Sequence, residues 1–403
     1  MKALCYLNKF LLMSGSHPEL GTVATKNGAT ITVCDWNYAS WKAAHDKNCF
    51  ELPEPMFLFK YDRQPYTPYD HQKKTANFLA ANSHCACWNE AGTGKTASVI
   101  WAIDFLRREC VIRKVLIVCP LSTARSVWWK ELFVMMPRVK NELLLGSKDK
   151  RLQALDKGVD IYIVNHDGIK VLEDELVAWS PDLIVIDECT AFKNVRTERW
   201  KAMHKICAEG WVWLLTGTPM AQSPTDLYGQ ARLFCPERVG KSFIRFRDRV
   251  MTQVSMYKWL PRNNFEETVK ELVQPVIRFS RDECIELPDV VYQNIDVDMS
   301  SHQQSTFDKW RREACVAVKG GTITAVNEGV MRNKLLQCCA GWVYAMDDNG
   351  QRGTVDLYPT TRLNALLDVI NESSRGVLVF IPFTSAINNV AQFCDQHKIS
   401  YEI

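Results

Sequence analysis

Five short apolar runs, Cys85–Trp88, Val115–Cys119, Ile161–Val164, Leu183–Ile186 and Val212–Leu215, follow one another with helix-length stretches between them. A run of four or five apolar residues without polar alternation suits a strand buried on both faces. Strands of that kind pair in parallel, and parallel pairing requires a crossover connection between successive strands. Ala97–Cys110 has the spacing of a crossover helix, with Val99, Ile103, Leu106 and Cys110 on one face, and Thr197–Ala208 has a similar length. The alternation predicts an α/β fold with a parallel sheet covered on both sides.

The chain of 403 residues is too long for one ordinary domain. Residues 1–62 read as a small N-terminal unit with a β-hairpin, because Asn27-Gly28 stands between Thr22–Lys26 and Ala29–Val33. Pro53, Pro55, Pro65 and Pro68 separate it from an α/β lobe at 63–236. Residues 237–288 read as a mostly helical insertion and a linker. The insertion carries Arg238, Lys241, Arg245, Arg247, Arg249, Lys258 and Arg262 against few acids. It could track a duplex, or it could be an ordinary solvated helix face. Residues 289–403 read as the start of a second, incomplete α/β lobe. Val377–Ile381 is its expected strand, and Ile387, Val390, Ala391 and Cys394 form the face of the next helix.

Composition closes several alternatives. No apolar run approaches the ~20 residues of a membrane span. Asn8 and Lys9 interrupt the apolar first dozen residues, and no small-residue cleavage site follows, which argues against a secretory signal. Fifteen cysteines are an odd number, and neither Cys85/Cys87 nor Cys338/Cys339 has the two-residue gap of a zinc knuckle. Reduced thiols in a cytoplasmic protein are expected. A net charge of +3 does not by itself argue for nucleic acid, so any such partner must be inferred from motifs.

The first chemical motif is Asn89-Glu90-Ala91-Gly92-Thr93-Gly94-Lys95-Thr96, which follows an expected strand and opens an expected helix. Glycines let the backbone approach phosphate oxygens, and successive N–H groups with the helix N-terminus bind the anion. Lys95 would reach the β- and γ-phosphates, and the Thr96 hydroxyl would ligate Mg2+. Asn89 stands where the general motif has its first glycine, and a Gly-rich helix cap is the plainer alternative.

The second motif is Asp187-Glu188, directly after the run Leu183–Ile186. Ligands of open α/β sheets bind at the carboxyl ends of the strands. There Asp187 would hold Mg2+ through water, and Glu188 would orient or deprotonate an attacking water. Paired acids after a strand also serve as caps or surface charges. The third string, Leu215-Thr216-Gly217-Thr218-Pro219, could hydrogen-bond the acids and a substrate, but alone it reads first as a strand-to-turn exit.

Together these strings resemble the Swi/Snf-type translocases of helicase superfamily two. The phosphate loop is similar to that family's Asp-Glu-Met-Gly-Leu-Gly-Lys-Thr, with Asn89, Ala91 and Thr93 as the replacements. Lys193 and Asn194 fall where the family has Lys-Asn after its acidic motif, and Thr190 stands in place of a histidine. Gln72 resembles the adenine-reading glutamine. Cys119-Pro120-Leu121-Ser122, with Trp128 and Glu131, resembles the first strand-contacting motif. Leu215–Met220 with Ala221-Gln222 resembles Leu-Thr-Gly-Thr-Pro-x-Gln-Asn. Ile277-Arg278-Phe279-Ser280-Arg281 with Leu287-Pro288 is similar to the basic linker between lobes, and Val377–Thr384 to the first motif of the second lobe. The resemblance spans residues 66 to 403, and the spacing looks most like small phage or bacterial members and the HARP-type annealing helicases.

The resemblance implies a RecA-like P-loop NTPase lobe with ATP and Mg2+ as cofactors. Gln72 and residues Glu90, Ala91, Gly92, Thr93, Gly94, Lys95 and Thr96 would bind the nucleotide. Thr96 and Asp187 would hold the metal, and Lys95, Asp187 and Glu188 would serve catalysis. Ser122, Arg125, Asn165, His166 and Thr218 would lie near the nucleic-acid backbone. The implied activity is ATP-driven movement along double-stranded DNA. The alternatives are a strand-separating DNA or RNA helicase and a non-hydrolysing ATP- and DNA-binding part of a split motor. The later second-lobe motifs, including one with an arginine that reaches the γ-phosphate, are not found before Ile403. The expectation is therefore weak hydrolysis by this polypeptide alone, with a second polypeptide as a candidate source of the rest.

Overall fold

The computed structural model describes the chain apart from residues 1–2, 7–9, 19–20, 27–28, 36, 48–51, 53, 57, 62–64, 257, 285–290, 320–324, 347–351 and 358. It forms two compact units, Met1–Pro288 and Asp289–Ile403. Among the described residues no helix is long and apolar enough to cross a membrane.

The first unit begins with strands β1 (Ala3–Tyr6), β2 (Phe10–Ser14), β3 (Thr22–Lys26) and β4 (Ala29–Asp35). They form an antiparallel sheet in the order β1-β2-β4-β3. The expected Asn27-Gly28 turn lies outside the described residues, but the strands beside it pair antiparallel from Lys26↔Ala29 outward. Helix α1 (Tyr38–Asp46) starts at Asn37, whose side chain accepts a bond from the Ser40 amide. From α1 onward the segment shares a core with the α/β lobe. Tyr38, Trp41 and Met56 are buried in the same cluster as Leu79 and Trp101, and the Tyr38 hydroxyl donates to the Ala80 carbonyl at 2.8 Å.

Helix α2 (Asp70–Ala81) leads into β5 (His84–Cys87), the phosphate-loop segment and helix α3 (Lys95–Arg108). There follow β6 (Val115–Cys119), β7 (Asn141–Leu144), β8 (Ile161–Asn165), β9 (Leu183–Asp187) and β10 (Trp211–Leu215). A hairpin of β11 (Met251–Ser255) and β12 (Lys258–Pro261) precedes the short β13 (Val276–Ile277). The main sheet runs β13-β5-β10-β9-β6-β8-β7, and every pairing in it is parallel.

Its central strands are buried on both faces, as continuous apolar runs require. Leu116, Val118, Ile184, Ile186, Val212 and Leu214 belong to one core, and Ile117, Val185, Trp213 and Leu215 to the other. Successive side chains point to opposite faces, so one five-residue run feeds both layers. All five expected strands are present. The two that went unread, β7 and β13, lie at the sheet edges. β7 begins with Asn141 and Glu142 and is only half-buried over its first three residues, and β13 has two residues, so neither carries a core-strand pattern.

The stretch expected to be mostly helical contains helices Phe243–Val250 and Phe265–Leu272, but the β11–β12 hairpin stands between them. Basic residues flanking it disguise it in sequence: Arg247 of the preceding helix stacks over the Trp259 ring at 3.7 Å, and Arg262, just after β12, donates to the Met251 carbonyl.

The second unit holds helices Ser301–Lys319 and Ala325–Ala340, an antiparallel pair β14 (Trp342–Met346) and β15 (Arg352–Asp356), and helices Thr360–Glu372 and Thr384–Gln396. The expected strand Val377–Ile381 is corrected here. It belongs to no ladder among the described residues, and Leu378 and Phe380 are 86% and 91% exposed. An apolar β-type sequence becomes a strand only when a neighbour takes its amides and carbonyls.

Trp213 tests the packing of the main sheet. It is fully buried on β10, and its indole nitrogen donates to the Asn82 carbonyl at 2.9 Å. Trp213→Ala should cost about 3–5 kcal/mol in urea unfolding monitored by circular dichroism. A loss below about 1 kcal/mol would show that the layer does not close on this side chain.

Candidate nucleotide-binding site

The register of β5, β10 and β9 builds the site. Leu215 pairs with Cys87 on one side and with Asp187 on the other. The loop after β5, the turn after β10 and the acids ending β9 therefore leave the same edge of the sheet. Adjacent strands are about 4.8 Å apart, so loop and acids are separated by roughly 10 Å, with the β10 exit between them.

In the loop, Gly92 and Gly94 have φ of +85° and +77°. A Cβ on Gly94 would meet the Gln72 side-chain nitrogen at 1.9 Å, whereas one on Gly92 would meet nothing within 4 Å. Gly94 thus admits Gln72 against the loop, and Gly92 leaves the outer side of the turn open. Gln72 and His71, from α2, both donate to the Thr93 carbonyl, at 3.3 and 3.0 Å. The Lys95 ammonium lies across the loop and donates to the carbonyls of Asn89 and Glu90, at 2.8 and 3.1 Å. Ala91 is exposed and Thr96 is half-buried at the first turn of α3. The donor set of loop amides, one ammonium and one hydroxyl is suited to a polyphosphate.

Across the edge, both oxygens of Asp187 are engaged. The Trp128 indole donates to Oδ2 at 2.9 Å, and the Glu188 amide donates to Oδ1 at 3.1 Å. Burial raises the carboxyl above the usual aspartate range, against the opposing pull of the Trp128 bond, the Lys95 charge and the Glu188 amide. The charge of Lys95 is thus felt at Asp187. Glu188 has a left-handed backbone, φ +49°, a conformation that costs an ordinary residue about 1–2 kcal/mol. Its exposed side chain accepts from the buried Thr216 hydroxyl at 3.3 Å. That hydroxyl also accepts from the Thr218 amide, and the Thr216 amide donates to the Cys87 carbonyl. A Cβ on Gly217 would lie 3.2 Å from the Ala91 nitrogen, so this turn abuts the phosphate loop. The third string is therefore the bridge between the other two.

The residues expected near nucleic acid divide into two groups. Ser122, Arg125 and Thr218 are exposed. Ser122 and Arg125 flank the start of a π-helical turn, Ala124–Trp129, that swings Trp128 inward toward Asp187. Asn165 and His166 are half-buried and already engaged: Asn165 accepts from Arg151 at 3.0 Å, and the His166 ring donates to the Asp187 carbonyl at 2.8 Å. Burial holds the His166 imidazole below its usual range, against the opposing pull of this bond.

Two participants went unread in sequence. Gln230, buried in helix Leu227–Phe234, accepts from the Cys189 thiol and donates to the Pro219 carbonyl, tying the second string to the third. Gly229 beside it lets that helix lie on the backbone of Phe192 and Lys193, whose carbonyl oxygens a Cβ would approach to 2.4 and 2.3 Å. Nothing in their local sequence signals either contact. The other is Asn89, which the sequence shows only as a replacement in the loop motif: its buried side chain holds Thr75 and the Phe279 amide.

Fold and site together define a RecA-like P-loop nucleotide-binding protein. The profile of the SNF2-related domain matches residues 36–340, and the chain belongs to that family. It is 26% identical over 337 residues to "Putative protein p41" of Acyrthosiphon pisum secondary endosymbiont phage 1, covering 79% of this chain and 72% of that protein. It is 24% identical over 356 residues to the yeast (Saccharomyces cerevisiae) "ISWI chromatin-remodeling complex ATPase ISW1", covering 82% of this chain and 30% of the yeast protein. It spans the same 30% of the "Uncharacterized ATP-dependent helicase MG018" of Mycoplasma genitalium, at 25% identity over 78% of this chain. Its fold matches the Sulfolobus solfataricus SWI2/SNF2 ATPase core solved with double-stranded DNA. That match has a TM-score of 0.50 and 18% identity, and covers 83% of this chain and 71% of that one.

The raised Asp187 carboxyl has a consequence for stability. A folded-state value above the unfolded one favours the protonated fold. Its contribution is fully present below the ordinary aspartate range and is lost as pH rises through the folded value. Asp187→Asn removes the titrating group, while setting its NH2 against one of the two N–H donors that Asp187 accepts from. The test is therefore the pH dependence: measured by urea midpoints, the parent should gain stability relative to Asp187→Asn as pH falls from 7 to 4. A parent that loses stability relative to the variant over that range would contradict the assignment.

Proposed function

We propose that this chain is the ATP-binding motor core of a translocase that couples ATP hydrolysis to movement along double-stranded DNA. The observation that carries the reading is the shared sheet edge, where the Lys95 loop and the Asp187-Glu188 pair face each other across Thr216. The relatives support it: one is titled an ATP-dependent helicase, another a chromatin-remodeling ATPase, and the structural neighbour was solved with double-stranded DNA.

The amides of Gly92–Thr96 and the Lys95 ammonium bind the β- and γ-phosphates, and Gln72 would read the adenine. Thr96 and Asp187 would hold Mg2+, which when bound would neutralise charge on the phosphate oxygens. Trp128 and the Glu188 amide fix the Asp187 carboxylate in one orientation. Glu188, exposed and steadied by Thr216, orients a water and takes its proton. Ser122, Arg125 and Thr218 contact the DNA backbone, while Asn165 and His166 brace the strand ends beneath them.

Two substitutions separate binding from chemistry. Lys95→Ala removes a charge-assisted contact worth about 1.5–3 kcal/mol, so ATP affinity by calorimetry should fall tenfold or more. Glu188→Gln should keep affinity near the parent value and lose turnover by about a hundredfold or more. The parent's ATPase rate, however low, should rise with double-stranded DNA. Unchanged ATP affinity in Lys95→Ala, or full turnover in Glu188→Gln, would defeat the proposal.

A further inference from the structure

The linker segment after β13 does not leave the sheet when its ladder ends. The carbonyls of Pro275, Ile277 and Phe279 accept in turn from the amides of Ala86, Trp88 and Glu90, at 3.1, 2.8 and 3.0 Å. The pairing thus runs off the end of β5 and onto the phosphate loop. Beyond it, the Arg281 amide donates to the Glu90 carboxylate at 3.1 Å, and Arg278 lies 3.9 Å from the same group.

Asn89 is the centre of this contact. Its Oδ1 accepts from the Phe279 amide at 3.0 Å, and its Nδ2 donates to the Thr75 hydroxyl at 2.8 Å. Thr75 donates in turn to the His71 carbonyl, and the His71 ring donates to the carbonyl of Thr93, back in the loop. The path from linker to loop to α2 and back to loop runs through side chains that are almost wholly buried: Asn89 is 1% exposed, Thr75 0% and Thr93 2%. An amide side chain supplies a donor and an acceptor on two separate atoms, aimed at two separate partners, without burying a charge. An ionised aspartate would keep the acceptor and lose the donor. This also accounts for the missing first glycine of the general motif: position 89 is occupied by a bridge.

We propose that Asn89 is a positioning residue that locks linker residues 276–281 to the phosphate loop, so that the conformation of the loop and the path of the linker are set together. Because the loop is held between the linker and α2, a change at Thr93 or Glu90 on nucleotide binding is passed to Phe279 and Arg281. This second part rests on the nucleotide reading above, whereas the lock itself does not. Both act ahead of the second unit, whose sequence follows the linker.

Residue-resolved hydrogen exchange on the full 403-residue chain tests it. Without nucleotide, Asn89→Ala should speed exchange at the Phe279 amide by about tenfold or more, with the β10 amides Trp213 and Leu214 unchanged. Asn89→Asp, which retains the acceptor, should keep Phe279 close to the parent rate. With Mg2+ and ADP added, exchange at residues 277–281 should change in the parent and not in Asn89→Ala. Parent-like Phe279 exchange in Asn89→Ala would overturn the lock, as would equal acceleration of β10, because Asn89 would then serve only overall stability. A linker that still responds to ADP in Asn89→Ala would overturn the transmission. Failure of the parent to bind ADP would sink the nucleotide reading and with it the transmission, but leave the Phe279 result to decide the lock.

Discussion

One row of the sheet determines the rest of the site. Leu215 is bonded between Cys87 and Asp187, and its neighbours on the chain inherit that alignment. Everything beyond the row is loop, free to take the shape its own side chains and glycines dictate. A one-residue slip of β10 against either neighbour would turn every one of its side chains to the opposite face and detach Thr216 from Glu188. The two cores hold that register. Trp213 and Leu215 are fixed in one, Val212 and Leu214 in the other, and a one-residue shift would exchange the two sets.

On this frame the polar groups are bonded to one another before any ligand is considered. Asp187 is gripped at both oxygens, Thr216 joins Glu188 to the next turn, and Gln230 joins the acidic string to Pro219. Such preorganisation has a cost that is visible in the raised Asp187 carboxyl and the left-handed Glu188 backbone. Strain and buried charge of this kind gather where a site is held ready rather than where a fold is merely stabilised.

The sequence disclosed what burial and glycine chemistry make repetitive. The five doubly buried strands were legible because both their faces are apolar, and the phosphate loop because Gly92 and Gly94 need φ values that other residues avoid. The rest was hidden for physical reasons. β7 and β13 are edge strands too polar or too short to show a pattern. The β11–β12 hairpin is short and mostly exposed, and it stands between two helices, with Arg247 of the first lying on its Trp259. Val377–Ile381 has the composition of a strand, but pairing is a property of a neighbour and not of the segment itself. Asn165 and His166 stand at a strand end, where nucleic-acid contacts are expected, but their bonds to Arg151 and to the Asp187 carbonyl come from distant segments and leave no local sign. The work of Asn89 depends on Phe279, which lies far away along the chain and signals nothing locally.

The most direct measurement of the central claim is a crystal structure of the chain with Mg2+ and a non-hydrolysable ATP analogue. The account predicts phosphate oxygens about 3 Å from the amides of residues 92–96 and from the Lys95 ammonium, with the metal between Thr96 and Asp187. A triphosphate bound elsewhere, or metal coordination that leaves out Asp187, would contradict it.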